Sequence, residues 1–318
     1  MLRKWLMVVG GVLTCLLIDL IASQATAQDV GFTRKQDVIY GRKYGTALTM
    51  DVFTPQNPNG AAVIWAVSGG FFSSHDNINP NIAKPILARG YTVFAVVHGS
   101  QPRFQIPEIV QDMERSVRFI RHHAKEYEID PNRIGVSGGS AGGHLSLMLG
   151  TVGKPGGPNS KDPVDSESSR VQAVACFFPP SDFLNWGAPG KAMIHAMDHR
   201  APFRASFDYH ERNPQTNMWE RITDENKLRQ IAHDISPIYH VGSGSAPTLI
   251  VHGDKDDLVP LQQAEVFIAI LKEAGVDGKL VVKPGAGHGW PDMQKDLTQL
   301  VDWFDGHLKN QPASAGVR

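Results

Sequence analysis

The sequence predicts an α/β fold, in which a mostly parallel, doubly wound sheet carries helices on both faces. Two observations lead to this fold class. Short apolar runs alternate along the chain with amphipathic stretches, an order typical of strand–helix–strand units. The apolar runs are mostly unbroken Val, Ile, Ala and Leu, which indicates strands that are covered on both faces. We therefore expect one layered domain built around a central sheet.

The predicted elements follow one another in this alternating order. The apolar runs predict strands over residues 47–53, 61–67, 91–97, 133–136, 171–177, 247–252 and 279–282. Amphipathic stretches predict helices over residues 81–89, 107–127, 141–149, 260–274 and 292–308. In residues 107–127 the apolar side chains recur at helical spacing, so one face of that helix is expected to pack on the sheet.

Two segments interrupt this alternation. Residues 153–170 are rich in Gly, Pro, Ser and Asp, which is typical of a solvated surface loop. Residues 179–240 hold two tryptophans and several His and Arg residues but show no clear strand pattern. We interpret this longer segment as a small, partly helical lid inserted into a single domain that spans residues 28–318.

Residues 1–27 have the pattern of a secretory signal peptide. Arg3 and Lys4 precede an apolar stretch over residues 5–22, and small residues lead up to Ala27, where signal peptidase is expected to cut. Asp19 within the apolar stretch would be costly at bilayer depth, which favours cleavage over the alternative of an uncleaved anchor. We expect an exported protein, periplasmic or extracellular, with no permanent membrane span.

The composition of the remaining chain limits its partners. Residues 28–318 carry 29 basic and 31 acidic residues, so there is no electrostatic case for nucleic-acid binding. Cys15 leaves with the leader and only Cys176, in an apolar run, remains, so an internal disulfide is excluded. The 291 residues can bury a large core without cross-links. The sequence leaves the oligomeric state open.

A serine lies on a tight turn between a predicted strand and a predicted helix. Residues 138–142 read Gly-Gly-Ser-Ala-Gly, and this turn leaves no room for side chains two residues before or after the serine. The geometry exposes the Ser140 hydroxyl as a nucleophile. An overlapping match would instead make Ser137 the nucleophile, but a helix would then start in a run of glycines, each costing about 1 kcal/mol.

Two later loops offer a base and an acid for this serine. Residues 252–260 read His-Gly-Asp-Lys-Asp-Asp-Leu-Val-Pro, and His288 lies in Gly-Ala-Gly-His-Gly-Trp. Each loop follows a predicted strand, where open α/β sheets build their sites. The chain order serine, aspartate, histidine is the order of a Ser-His-Asp triad on such a sheet.

These motifs, with Ser-Gly-Gly-Phe-Phe at 68–72, resemble the α/β-hydrolase superfamily. The likeness runs from about residue 48 to 308, within the esterase/lipase branch near the acetyl-xylan and feruloyl esterases. The resemblance implies that Ser140 is the nucleophile and His288 the general base. The acid of the family pattern falls on Asp256, with Asp257 as the alternative.

The resemblance also implies an oxyanion hole formed by backbone N–H groups of Gly70, Phe71 and Ala141. Ser68 departs from the family, which usually has histidine at the start of this loop, so the shape of the loop is open. A plain glycine turn after the strand is the alternative interpretation of Gly69 and Gly70.

We expect an exported serine esterase that forms an acyl-enzyme and needs no metal or organic cofactor. The substrate is expected to be a small-molecule or carbohydrate ester, with acetyl or feruloyl esters of polysaccharides among the options. The alternatives are a serine peptidase of the prolyl-oligopeptidase type and a non-catalytic binding protein on a hydrolase scaffold. His195 and His199 have a spacing that can bind zinc, but no third ligand is evident, so we interpret them as solvated. Six aromatic residues are candidates for a pocket lining: Phe71, Phe72, Phe183, Trp186, Trp219 and Trp290.

Overall fold

A computed structural model describes residues 31–309, and the predicted leader, residues 1–27, lies outside them. Eight strands form one central sheet and two short strands form a separate hairpin. In chain order the strands are β1 (Phe32–Lys43), β2 (Thr46–Pro55), β3 (Ala62–Val67), β4 (Thr92–Val97), β5 (Ile134–Gly139), β6 (Ala173–Phe177), β7 (His210–Arg212), β8 (Trp219–Arg221), β9 (Thr248–Gly253) and β10 (Gly278–Lys283).

The central sheet is mostly parallel. Its strand order is β1-β2-β4-β3-β5-β6-β9-β10. Strand β2 pairs antiparallel with both of its neighbours, whereas the six strands from β4 to β10 pair in parallel. The middle strands are buried along almost their whole length, as their unbroken apolar sequences predict.

Helices cover the sheet on both sides. They are α1 (Pro80–Leu87), α2 (Ile106–His122), α3 (Ala141–Val152), α4 (Glu225–Asp234), α5 (Gln262–Glu273) and α6 (Met293–Phe304). Because successive strand residues point to opposite faces, Val63 packs in the core layer beneath α1 and α6, and Ile64 packs in the layer beneath α2, α3 and α5. The predicted doubly wound α/β fold is confirmed.

The antiparallel edge strand β1 was not predicted. Its sequence is dominated by polar and charged residues, and much of its surface is exposed. Charges on an edge strand discourage pairing with another chain, so the strand lacks the apolar run that reveals an inner strand. Arg34 anchors it, donating from Nε to the buried carboxylate of Asp51 at 2.6 Å.

Helix α2 ends at His122, five residues before its predicted end. The chain then turns, with Glu128 at a φ of 54°. The backbone N–H of Ile129 donates to the Ala124 carbonyl at 3.0 Å, and both side chains are buried in the core. The last apolar residues of the pattern therefore pack from a turn, which periodicity alone does not distinguish from helix.

Residues 179–240, the insertion segment, leave the sheet after β6 and return before β9. The segment contains α4, several short 3₁₀ turns and the β7–β8 hairpin, which was not predicted because each of its strands has only three residues. Among residues 31–309, no helix combines the length and apolarity needed to cross a bilayer.

Candidate active site

Ser140 lies on a sharp turn between β5 and α3. Its backbone has a φ of 54° and a ψ of −120°, a conformation that side chains rarely adopt and that turns the hydroxyl outward. A Cβ on Gly138 would lie 2.5 Å from the carbonyl carbon of Gly142, and a Cβ on Gly142 would lie 2.7 Å from the Ala66 oxygen. Both glycines are therefore required by the close approach of the backbone, as the motif predicts.

The alternative nucleophile, Ser137, is placed differently. It lies within β5, its side chain is fully buried, and its hydroxyl has no hydrogen-bond partner in the part of the chain that the structure describes. A substrate could not reach this hydroxyl without opening the sheet. The geometry favours Ser140.

The structure brings Ser140, His288 and Asp256 into one hydrogen-bonded chain. The Nε2 atom of His288 lies 2.9 Å from the Ser140 Oγ, and its Nδ1 atom lies 2.7 Å from Oδ2 of Asp256. A carboxylate can only accept, so Nδ1 carries the proton and Nε2 is free to accept from the serine hydroxyl. The ring of Phe178 packs beside the imidazole, with 4.4 Å between the ring centroids. This arrangement suits proton transfer from Ser140.

The two neighbouring carboxylates have opposite environments. The Asp256 side chain has no exposed surface, and its Oδ1 accepts from the backbone N–H groups of Leu258 and Val259, both at 2.9 Å. Burial raises the pKa of Asp256, but hydrogen bonds from histidine and backbone outweigh it and hold the pKa well below the usual range. Asp257 is 80% exposed and pairs with Arg200 of the insertion segment at 3.2 Å. Only Asp256 contacts His288.

Two of the three predicted oxyanion donors, Gly70 and Phe71, form a two-residue turn after β3, which we call the oxyanion turn. An isolated bridge between Gly69 and Phe72 closes it, and both central residues have positive φ, 55° and 64°. For a phenylalanine this conformation costs about 1–3 kcal/mol. Within residues 31–309, neither turn N–H donates a hydrogen bond to another protein group. Both residues line one pocket with Ser140 and Ala141, so the three residues predicted to supply donors lie at the same pocket as Ser140.

That pocket has a volume of about 210 Å³ and a largely apolar wall. The insertion segment supplies most of the wall: Phe183, Trp186, Met193, His199, Phe203 and Phe207. Charged side chains, Lys191, Asp198, Arg200 and Asp257, also line it. The pocket therefore suits a substrate with an apolar part close to Ser140.

Comparison with known proteins gives the family. The sequence profile of the BD-FAE family matches residues 50–271, which is more than half of the chain. The chain belongs to the BD-FAE family. The matched range includes Ser140, Asp256 and the oxyanion turn but ends before His288. The hydrogen bonds of His288 to Ser140 and Asp256 are therefore what support its place in the site.

Individual relatives are esterases by name. An acetylxylan esterase of Xylanibacter ruminicola is 33% identical over 270 residues, covering 83% of this chain and 48% of the relative. A probable carboxylic ester hydrolase, LipM, of Mycobacterium tuberculosis is 27% identical over 245 residues, covering 74% and 51% respectively. This chain thus spans about half the length of both. A solved structure, a truncated carbohydrate esterase from gut microbiota, superposes with a TM-score of 0.67 at 26% identity, covering 88% of this chain and 99% of that one.

In this member of the BD-FAE family, a second histidine, His98, is the hydrogen-bond partner of the Ser68 hydroxyl just before the oxyanion turn. His98, at the end of β4, donates from Nδ1 to the Gly99 carbonyl at 2.7 Å, so its Nε2 accepts from the Ser68 hydroxyl at 2.8 Å. Burial lowers the pKa of His98 to about 4, against a smaller opposing effect of the Gly99 hydrogen bond, which keeps the ring neutral and fixes this pattern. His98 was not predicted, because its only signal in the sequence was a polar residue at the end of an apolar run.

His252 is a further missed residue. It is fully buried, donates from Nε2 to the Val259 carbonyl at 2.9 Å, and places the same nitrogen 3.3 Å from Oδ2 of Asp256. It therefore connects the start and the end of the loop at residues 252–259, which carries Asp256. Its N–H group also lies beside the Asp256 carboxylate, in addition to the N–H group of His288. The signal was its place four residues before Asp256, at the end of β9.

Other sequence interpretations have mixed outcomes. Of the six candidate aromatic residues, Phe71, Phe183 and Trp186 line the pocket, whereas Phe72, Trp219 and Trp290 do not. The interpretation of His199 as solvated is wrong. It is 8% exposed and stacks on Phe207 at a centroid distance of 3.4 Å, because it packs among the aromatic side chains of the pocket wall. His195 instead pairs with Glu225 at 2.9 Å, so the two histidines make separate contacts.

Proposed function

We propose that this protein is a serine carboxylic-ester hydrolase that works through an acyl-enzyme. The observation that carries the proposal is the continuous Ser140–His288–Asp256 chain at the wall of an apolar pocket. The same pocket is lined by Gly70 and Phe71, whose backbone N–H groups have no partner among the described residues. Membership of the BD-FAE family and the esterase names of the relatives support the same reaction.

In the acylation step, the Oγ of Ser140 attacks the acyl carbon while its proton passes to Nε2 of His288. The carbonyl oxygen becomes negative, and the N–H groups of Gly70, Phe71 and Ala141 stabilise it. The ester C–O bond then breaks, and Nε2 returns the proton to the departing alcohol. Asp256 stays ionised and keeps the imidazole in the required tautomer.

In the deacylation step, a water molecule attacks the acyl carbon and gives a proton to Nε2 of His288. The bond from the acyl carbon to Oγ breaks, Ser140 recovers its proton and the carboxylic acid leaves. Every proton and bond is accounted for by serine, histidine and water, so no metal or organic cofactor enters the sequence of steps.

We further propose acetyl or feruloyl esters of polysaccharides as the substrate class. The relatives named acetylxylan esterase and carbohydrate esterase support it, and an apolar pocket beside Ser140 can accept an acyl group. Cleavage of the leader after Ala27 and export, with residues 28–318 as one domain and the insertion segment as its lid, complete the proposal.

The test is a substrate panel on purified protein. Acetylated xylan, methyl ferulate, p-nitrophenyl esters of increasing chain length and a prolyl peptide are compared for the parent, Ser140→Ala and Ser137→Ala. We expect ester turnover that Ser140→Ala lowers by at least about 10³-fold. Ser137→Ala is expected to keep most of the rate. Ester turnover that survives Ser140→Ala would reject the mechanism, and faster cleavage of the peptide would reject the reaction class.

A further inference from the structure

We propose that Gln101 is a positioning residue that holds the oxyanion turn and the insertion segment together, so that the donor geometry depends on how this segment docks. The inference rests on the proposed esterase function. It assigns a role to a residue outside the triad and the oxyanion turn, and it makes the insertion segment more than a cover over the pocket.

The first support is the set of hydrogen bonds that Gln101 makes to the turn. Its side-chain Nε2 donates to the Gly70 carbonyl at 2.9 Å, and its backbone N–H donates to the Phe71 carbonyl at 3.2 Å. A trans peptide points its C=O and N–H in opposite directions. With the Gly70 carbonyl turned to Gln101, the N–H of Phe71 in the same peptide points away from Gln101, and this turn lines the pocket of Ser140.

The second support is that the same amide reaches the insertion segment. Nε2 of Gln101 also donates to the Pro202 carbonyl at 3.0 Å. One side-chain amide thus uses its two N–H bonds for two carbonyls, one on the turn and one on the insertion segment. Loss of this group would leave both carbonyls without that donor.

The third support is direct packing between the insertion segment and the turn. The ring of Phe203 lies so close to Gly70 that a Cβ on the glycine would be 2.3 Å from its Cδ1 atom. The ring of Phe207 meets that of Phe71 edge to face, with 5.9 Å between centroids. Phe203 and Phe207 of the insertion segment therefore pack directly on a turn whose phenylalanine is held at positive φ.

The chain provides a matched control. Gln105 also donates from Nε2 to a carbonyl of the insertion segment, that of Asp208 at 3.1 Å, and makes no hydrogen bond to the oxyanion turn. Gln101→Met and Gln105→Met remove one side-chain amide each at similar volume. Only the first removes a contact to the turn, so the pair separates positioning of the donors from general attachment of the segment.

We expect Gln101→Met to lower kcat about 10–100-fold with KM changed less than about 3-fold, since the donors act on charge that develops in the transition state. Gln105→Met should stay within about 3-fold in both constants. A trifluoromethyl ketone, which forms a tetrahedral oxyanion on Ser140, should bind Gln101→Met about 10–100-fold more weakly and Gln105→Met unchanged. A merely structural role of Gln101 would not single out this inhibitor.

Equal loss in the two variants, or a Gln101→Met enzyme with parental kcat and inhibitor binding, would overturn the proposal. If Gln101→Met fails to fold, Gln101→Asn serves, because its amide is one methylene too short to reach both carbonyls. Ser140→Ala in the same assay separates this outcome from failure of the esterase function. If the Ser140→Ala protein is active, the proposed esterase function is rejected. If Ser140→Ala is inactive and Gln101→Met is fully active, only the positioning role of Gln101 is rejected.

Discussion

At the residue scale, two adjacent carboxylates show how environment assigns roles. Asp256 is enclosed, accepts two backbone N–H groups and contacts two histidines, whereas Asp257 faces solvent and pairs with Arg200. An enclosed, fully hydrogen-bonded carboxylate stays ionised and keeps one geometry, which a proton-relaying histidine needs from its partner. An exposed ion pair contributes little, roughly 0–1 kcal/mol.

We therefore expect Asp256→Asn to lower kcat by about 10³–10⁴-fold, because an amide in that place would favour the wrong tautomer of His288. Asp257→Asn, one residue away and of the same chemistry, should leave kcat within about 3-fold. Steady-state kinetics with p-nitrophenyl acetate measure both. If the larger loss follows Asp257→Asn, the acid role belongs to Asp257.

The residues that could be predicted from the sequence are the ones that lie within a recognisable motif. Ser140, Asp256 and His288 each lie in a loop that follows a strand, and the fold brings such loops to one edge of the sheet. His98 and Gln101 support the same site from another loop, but through hydrogen bonds to backbone carbonyls and a hydroxyl. Such contacts depend on three-dimensional placement and leave no spacing pattern in the chain.

At the element scale, the turn between β5 and α3 depends on how closely its backbone packs. Gly138 and Gly139 are adjacent, yet they differ in the space around them. A Cβ on Gly138 would lie 2.5 Å from the carbonyl carbon of Gly142, whereas a Cβ on Gly139 would lie 3.4 Å from Cε2 of Phe178, an ordinary contact distance. We expect Gly138→Ala to destabilise the fold by about 1–3 kcal/mol and to reduce activity. Gly139→Ala should change stability by less than about 1 kcal/mol.

Urea unfolding of the parent and both variants, with esterase rate measured on the same samples, tests this expectation. Equal effects of the two alanine substitutions would show that the turn tolerates a side chain at residue 138. The nucleophile position would then not depend on the contact between the first turn residues and the start of α3.

Elements were predictable where burial shapes the sequence. The inner strands β3, β6 and β9 have continuous apolar sequences because helices cover both of their faces. Strand β1 and the β7–β8 hairpin lie at edges and keep polar, exposed residues. Each pairs with a neighbour in the chain, β1 with β2 and β7 with β8, and neither has an apolar run, so local composition did not reveal them.

At the scale of the whole molecule, three buried histidines link stability to pH. Burial lowers the pKa of His98, His144 and His199 to about 4 each, in part against hydrogen bonds to backbone carbonyls. Between pH 6.5 and about 4 the unfolded chain binds more protons at these sites than the folded one. The free energy of unfolding should therefore fall as pH falls through this window, by up to about 1.4 kcal/mol per pH unit for each histidine. The loss should level off below pH 4.

His144→Gln tests this dependence, because glutamine can replace the donor to the Ile235 carbonyl and does not titrate. Urea unfolding between pH 7 and pH 4.5 should give a shallower dependence for the variant than for the parent. Parallel curves would mean that His144 does not contribute to the acid sensitivity. Asp256 does not interfere, because a carboxylate with a lowered pKa adds stability that is lost only as pH falls below its unfolded value, about 3.9.

Cys176, near the end of β6, has no exposed surface, and it is the only cysteine within residues 31–309. The side chain packs in the core layer beneath α2, α3 and α5, so reagents such as dithionitrobenzoate can reach this sulfur only when that packing opens. The speed of its derivatisation then reports how often the native protein opens, without any introduced label. The rate at which this buried thiol reacts therefore measures the kinetic stability of the folded protein.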